Sequence, residues 1–316
     1  MKIFNLIYKL ISFILTISII LLIALIFYFT LPIKTTKSVV LPKGSVTKVV
    51  ESLKEQGYPL NKLDTYLLAY LLDAPKSGTL NIGGKEMSRI AFLQKLSKAK
   101  EAIKIVTLIP GETNVIFLKE LAENQALDEA KLTQYYNKFS PYKEGGILPE
   151  TYHLAKDVNE KNLMKSLISQ SETVYKKLAQ KHLKKYDTKA WNRILTIASV
   201  VQKEAANNQE MPIVASVIYN RLKIDMPLQM DGTLNYGKYS HVKVTPKRIK
   251  TDKSGFNTYN NRGLPPYPVC SVSIDAINAA LTPAKTNYLY FMKNKSGVHD
   301  FTSSYKEHLR NINRAK

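Results

Sequence analysis

The sequence predicts an α+β protein held behind an N-terminal transmembrane helix, with a small folded region followed by a larger mixed α+β domain. Three observations predict it. The chain opens with an uncharged apolar run from Leu10 to Ile33. Two segments, beginning at Val39 and Val106, share the order strand, Pro/Gly turn, helix. From Leu163 onward, three stretches carry apolar residues at helical rather than alternating spacing.

The opening run, LISFILTISIILLIALIFYFTLPI, is longer than the roughly 20 apolar residues a helix needs to cross a bilayer. A cleavable signal peptide has an apolar core of only about 7 to 15 residues and a small-residue cleavage site after it. This run shows neither, and it has no polar face to suit a buried soluble helix. Residues 1–9 then form a short tail, 10–33 the span and 34–38 a polar linker. Lys2 and Lys9 precede the span while Lys34, Lys37 and Lys43 follow it, so flanking charge does not orient it.

Beyond the linker, Val39-Val40-Leu41 reads as a strand, Pro42-Lys43-Gly44 as a turn, and Ser45 starts a helix that runs to about Gly57. Tyr66 to Leu72 reads as an apolar helix, Thr79 to Ile82 as a strand and Ser88 to Ser97 as a helix, completing a region from 39 to 103. The larger domain, 104–316, opens with the second strand-turn-helix unit, its helix near Val115 to Glu123. Two such copies are too few for a solenoid. Leu163 to Leu183 is a long amphipathic helix with Leu163, Leu167, Val174 and Leu178 along one stripe. Trp191 to Ala205 and Pro212 to Leu222 form a pair of helices, separated at Ala206-Asn207-Asn208 and restarted by a proline at an early helical position. Tyr288 to Met292 reads as a strand, His299 lies in a polar loop between strands, and Tyr305 to Asn313 closes the chain as a helix.

The formal net charge of +21 invites a nucleic-acid reading, with clusters such as Lys184-Lys185 and Lys247-Arg248-Ile249-Lys250. No aromatic platform or zinc spacing accompanies them, and a membrane span argues against it, so no nucleic-acid partner is expected. Most of these charges are solvated faces that favour anionic polymers and lipid headgroups. The single Cys270 cannot make an intramolecular disulfide and reads as a packed apolar residue. With five scattered histidines it defines no metal site, and no cofactor is implied.

Chemistry concentrates in the stretch from Leu195 to Gly237. At about 100° per residue, Glu204 falls beside Ile197, Val200 and Val201, while Gln202 and Lys203 point away from that stripe. A carboxylate on an apolar face loses water, which disfavours the anion and raises its pKa. Glu204 then holds a proton near neutrality, the profile of a general acid. The alternative is a boundary glutamate whose stem packs and whose head meets solvent, or pairs with Lys203 or Arg221. A polar loop, Gln229-Met230-Asp231-Gly232-Thr233, follows between apolar residues, and such loops on rigid helices often carry binding groups.

These residues resemble the MltG/YceG family of membrane-anchored endolytic murein transglycosylases, whose ASxVxKE helix carries a single catalytic acid. Here that helix reads Ala198-Ser199-Val200-Val201-Gln202-Lys203-Glu204. Further blocks follow in the family's order: Ala215-Ser216-Val217, Asn220-Arg221-Leu222, Leu228-Gln229-Met230-Asp231, Thr233, Tyr236-Gly237, Asn257-Thr258-Tyr259, Gly263-Leu264-Pro265-Pro266, Pro283-Ala284-Lys285-Thr286, His299 and Phe301. The departures are Gln202 where Glu is usual, Asp231-Gly232-Thr233 for Asp-Pro-Thr, a missing Glu between Pro110 and Gly111, and Glu150 for Asp in Leu148-Pro149-Glu150-Thr151-Tyr152.

The resemblance implies that Glu204 is the catalytic acid and that Gln229, Asp231, Asn257, Tyr259 and His299 are candidates for binding substrate. It implies a lyase of peptidoglycan that cleaves the MurNAc–GlcNAc β-1,4 bond inside glycan strands and leaves 1,6-anhydro ends. It further implies a LysM-like subdomain over 39–103 that either binds glycan or acts as a spacer, a single-pass inner-membrane protein with its bulk outside the cytoplasm, and peptidoglycan synthases as partners. Two other readings stay open: a muramidase that uses Asp231 as base, and a non-catalytic wall-binding scaffold in which Glu204 is structural.

Overall fold

The computed structural model describes residues 2–36, 38–99, 103–155 and 158–315. Its mixed α+β content and N-terminal apolar helix agree with the sequence reading. The chain divides into two compact units, residues 1–104 with 155–157 and residues 105–154 with 158–316.

The first unit begins with helix α1 (Lys2–Thr30). Ile7–Thr30, 24 residues, is long and apolar enough to cross a membrane, and none of its most apolar window is buried by the protein. The helix starts earlier and stops earlier than the expected span of 10–33. Pro32 explains the stop: a proline lacks the amide hydrogen that would continue the helix, and it pushes the preceding residue toward extended backbone. Pro32–Lys34 instead forms strand β1, and Ile33 is buried.

Strand β2 (Ser38–Leu41), helices α2 (Val46–Glu55) and α3 (Lys62–Tyr66), a π-helical turn (Leu67–Leu71), strands β3 (Gly78–Asn81) and β4 (Glu86–Ser88) and helix α4 (Arg89–Lys98) complete the unit. β1 pairs antiparallel with β4, and β2 with β3. The expected polar linker is strapped to the fold: the Thr35 hydroxyl donates to the Lys85 carbonyl at 2.9 Å. Lys37 and residues 100–102, at the two expected boundaries of the 39–103 region, lie outside the described residues.

The apolar helix expected from Tyr66 to Leu72 begins earlier, because Asn61 caps it. Its Oδ1 accepts from the Leu63 amide at 2.8 Å, while its own amide donates to Asp64 at 2.8 Å. Val39, Leu53, Leu80, Phe92 and Leu96 form the small core. Asp64 is fully buried and takes hydrogen bonds at 2.8 Å from both the Tyr28 hydroxyl and Arg89 Nη1, which fastens the last turn of α1 to α3 and α4.

The second unit contains strand β5 (Ile103–Thr107, its first residues in the first unit), helices α5 (Asn114–Gln125) and α6 (Glu129–Phe139), strand β6 (Thr151–Ala155) and helix α7 (Glu160–Leu183). Helices α8 (Thr188–Glu204), α9 (Met211–Lys223), α10 (Pro246–Thr251) and α11 (Ile274–Leu281) follow, then strands β7 (Tyr290–Lys293) and β8 (His299–Thr302) and helix α12 (Tyr305–Ala315). β5 pairs with β6, and β7 forms an antiparallel hairpin with β8.

Leu121, Leu132, Leu163 and Met164 fill one core between α5, α6 and α7. Trp191, Leu195, Ile197, Val200, Val214, Ile218 and Ile277 fill the other, where α8 packs on α9 and α11. His299 opens β8 rather than occupying a loop, because its residue is the register partner of Lys293 across the hairpin.

Asp64→Ala leaves the buried Arg89 guanidinium without its carboxylate. Removing one partner of a buried ion pair typically costs about 3 to 5 kcal/mol. Native-state hydrogen exchange of the α2 and α4 amides is expected to accelerate accordingly, whereas unchanged protection would show the pair to be dispensable.

Candidate functional site

Glu204 is the last residue of α8, directly after a face on which Ile197, Val200 and Val201 are fully buried. The helix stops there because Ala205 turns to extended backbone. The residue as a whole is half-buried, but its carboxyl group is deeply desolvated. Burial pushes its pKa up to about 7, and the neighbouring Asp231 charge adds to the rise. A hydrogen bond from the Gly232 amide and the charge of Arg221 act in the opposite sense. The negative end of the helix macrodipole also disfavours an anion in the last turn. Glu204 has no ion-pair partner within 4.0 Å among the described residues, so neither Lys203 nor Arg221 neutralises it directly.

The Gly232 amide donates to Glu204 Oε1 at 2.7 Å, from a short 3₁₀ turn (Asp231–Leu234). A Cβ on Gly232 would stand 2.5 Å from Lys203 Cβ and 2.8 Å from Glu204 Oε1. Glycine is therefore required for the close approach, and a proline at this position could not donate the bond at all. Lys203, off the apolar stripe, is nonetheless engaged by the fold. Its stem packs under Gly232 and its Nζ donates to the Ser240 hydroxyl at 3.2 Å. Gln202 does face away from Glu204, and its Oε1 accepts from the Ser273 amide at 3.1 Å, the residue that caps α11.

The polar loops are sewn to one another beside this carboxyl group. The Tyr259 hydroxyl donates to Asp231 Oδ1 at 2.8 Å, and burial together with Asp231 raises the Tyr259 pKa. Thr258 Oγ1 accepts from the Met230 amide at 3.1 Å, and the Gln229 amide donates to the Thr258 carbonyl at 3.1 Å. Arg221, buried with its guanidinium against the Leu228 and Leu289 carbonyls, supports the start of the loop. The structure thus gathers Asp231 and Tyr259 with Glu204. Gln229 adjoins them on left-handed backbone (φ 49°) with an exposed side chain.

Two of the sequence candidates are occupied elsewhere. Asn257 is fully buried, and its amide nitrogen donates to the Ile249 and Asp252 carbonyls at 2.8 Å each while its oxygen accepts from the Tyr259 amide. It shapes the loop rather than facing a ligand. His299 gives its Nδ1 and its backbone amide to Glu210, at 2.6 and 2.8 Å. Glu210 also accepts from the Ala206 amide at 3.1 Å, so His299 braces the α8–α9 connection. Burial pushes the Glu210 pKa up, but its bonds from His299 and Ala206 outweigh that and hold it below the usual carboxylate range.

Sequence reasoning passed over Glu144. Buried between α5 and the Gly145-Gly146 turn, it accepts from the Asn114 amide at 3.0 Å and the Gly145 amide at 3.0 Å, yet burial pushes its pKa to about 8. It lines a cavity of about 140 Å³ with Asn114, Tyr236 and Tyr267. Only its place in a Glu-Gly-Gly turn marked it in the sequence, and a turn does not reveal burial. The nearby Glu112 pairs with His241 at 2.7 Å. Among the described residues no group of three or more His, Cys, Asp or Glu side chains is placed to hold a metal ion. Cys270 is buried, and burial pushes its thiol pKa up, as suits a packed residue.

The arrangement offers one acid that is part protonated near neutrality, beside an exposed carboxylate held by a tyrosine. Because Glu204 titrates at about 7 in the fold and near 4.5 when unfolded, the folded state binds the extra proton between those values. Its contribution to stability is complete below pH 4.5 and is lost as pH rises to about 7. Glu204→Gln is expected to remove that decline from a plot of denaturation midpoint against pH, and an unaltered plot would contradict the burial argument. Gly232→Ala should push the loop away and weaken the amide bond that lowers the Glu204 pKa. Carboxyl carbon NMR should then find the Glu204 midpoint above its wild-type value.

A model of the YceG-like family matches residues 39–314, which include all of these loops. The endolytic murein transglycosylase of Bacillus subtilis (strain 168) is 30% identical over 304 residues, covering 87% of this chain and 83% of that protein. An endolytic murein transglycosylase of Streptococcus pneumoniae is 33% identical over 179 residues, which cover 54% of this chain and 31% of that longer protein. Among solved structures, a YceG-like protein of Listeria monocytogenes matches with a TM-score of 0.58 and 26% identity, over 88% of this chain and 99% of that one. With most of its length matched in sequence and in fold, the chain belongs to the YceG-like family.

Proposed function

We propose that this chain is an endolytic peptidoglycan lytic transglycosylase that cleaves the MurNAc–GlcNAc β-1,4 bond within glycan strands. The observation that carries the proposal is Glu204, a desolvated carboxyl group with a pKa of about 7, oriented by the Gly232 amide at the rigid end of α8. Family membership and the names of the Bacillus and Streptococcus relatives support the substrate class.

In this mechanism protonated Glu204 gives its proton to the glycosidic oxygen as the bond to the muramyl C1 breaks. Positive charge develops at C1, where the substrate's own acetamido group can stabilise it. The Glu204 carboxylate then takes the proton from the muramyl 6-hydroxyl, whose oxygen closes onto C1. Glu204 ends as it began, and no water is consumed. Ordinary glycosidases use two carboxylates at set separations, whereas the internal nucleophile lets one suffice. A group that must both give and take a proton works best with its pKa near the working pH. Asp231 and Tyr259, with Gln229, are the groups proposed to hold the sugar beside it; Asn257 shapes the loop that carries Tyr259, and His299 braces the α8–α9 connection.

In the same proposal α1 is a membrane anchor with the bulk of the chain on the outer side, and a role in ending nascent strands sets it beside peptidoglycan synthases. Residues 39–103 form a LysM-like module, either glycan-binding or a spacer, with 104–316 as the catalytic domain. The antiparallel β2–β3 pair around α2 and α3, with its own small core, supports a separate module. A muramidase is the second reading, favoured only by the placement of Asp231 under the Tyr259 hydroxyl.

Mass spectrometry of products from purified glycan strands separates the two readings, since anhydro ends mark the transglycosylase and reducing ends the muramidase. Glu204→Gln keeps the shape but cannot cycle a proton, so product formation is expected to fall by about 10² to 10⁴. Gln202→Ala, which loses only the Ser273 contact, should retain the anhydro product. Wild-type release of anhydro-muropeptides by a Glu204→Gln protein with an unchanged circular dichroism spectrum would sink the mechanism.

A further inference from the structure

The first unit carries an apolar surface that its own core does not use. The α3 helix and the π-helical turn bury Leu67 and Leu68 but leave Tyr66, Tyr70 and Leu71 exposed at 59%, 79% and 77%. Tyr66 and Tyr70 stack with ring centroids 6.1 Å apart. These side chains and Leu67 face Leu25 and Phe29 of α1 across a groove of about 210 Å³ whose lining is entirely aliphatic or aromatic.

The position of this surface along α1 is fixed. Tyr28 donates to Asp64 of α3, and the Arg89 guanidinium lies 4.3 Å over the Tyr28 ring, so α3 is held at the level of the last helical turn. A helix of 24 residues is about 36 Å long, some 6 Å more than a hydrocarbon core of roughly 30 Å. With the hydrocarbon core taken to begin at Ile7, where the apolar span begins, the surplus of about one turn places Phe27 to Thr30 at headgroup depth. Tyrosine collects at that depth because its ring is apolar and its hydroxyl seeks water. Lys62 and Lys76, both exposed, flank the segment with cations suited to anionic headgroups.

We propose that Leu63–Leu71 is a membrane-interface foot, seated in the boundary between lipid headgroups and acyl chains beside the anchor helix. It rests on the reading of α1 as a membrane span. The occupant is lipid rather than protein because the groove is continuous with the exposed side chains of α1, such as Leu22 at 56% and Phe27 at 66%, which a bilayer would already cover. With the anchor and the foot both seated, the first unit, already fastened to α1 through Asp64, would be held at a fixed tilt on the membrane.

Full-length protein carrying Tyr70→Trp or Ile20→Trp, reconstituted in mixed phosphatidylcholine–phosphatidylglycerol vesicles, tests this. The native Trp191 is fully buried, and its emission is subtracted using the unmodified protein. The added tryptophan at position 70 is expected to emit at shorter wavelength than in water and to lose most of its emission to lipids brominated at shallow acyl positions. The tryptophan at position 20 should respond to deep bromines. Quenching at 20 without quenching at 70 would overturn the foot and leave the anchor standing, and a blue-shifted but unquenched signal at 70 would assign the surface to protein. Failure at both positions would remove the anchor and the foot together.

Discussion

The proposed chemistry of this protein depends on the approach of one backbone amide to one carboxyl group. Gly232 reaches Glu204 Oε1 at 2.7 Å only because no Cβ stands between the 3₁₀ turn and Lys203. Burial drives the carboxyl toward its neutral form, and the amide bond and Arg221 pull it back, so the balance falls near neutrality. The acid is positioned by packing rather than by a loop. It closes α8, whose apolar face is fully buried against α9 and α11, and it cannot move without disturbing that core.

Four glutamates of the second unit fall into two kinds according to their neighbours. Glu210 and Glu112 each meet a histidine, at 2.6 and 2.7 Å, and serve as ties between segments. Glu204 and Glu144 meet only backbone amides, and both have raised pKa values because an amide dipole does not repay the loss of water in full. Residue type is the same in all four positions. The environment alone separates a carboxyl group that keeps its proton near neutrality from a brace.

The first unit is organised by a different polar contact. Asp64 collects bonds from Asn61, Tyr28 and Arg89, while its other oxygen and Arg89 Nε have no partner. A buried pair with unsatisfied atoms is poor value as stabilisation, but it specifies one arrangement of the groups that meet there. Here it fixes the apolar helix to the folded module at one height.

The sequence by itself determined the apolar N-terminal helix, the amphipathic helices around Trp191 and Pro212 and the place of Glu204 on a buried stripe. Each of these follows from short-range periodicity, which the helix repeat turns directly into a face. It also ordered the motifs that identify the family. Tertiary structure decided what those faces meet. The Gly232 amide lies 28 residues from Glu204, and His299 lies 89 residues from the Glu210 it braces. Asn257 looked like a ligand-facing amide until its partners, the Ile249 and Asp252 carbonyls, were seen to enclose it. Glu144 carried no periodic signal at all, since burial in a turn is imposed by the helices that pack over it. Local spacing fixes direction, but desolvation and hydrogen-bond partners are properties of the assembled core, and the proton affinity of each carboxyl group follows from them.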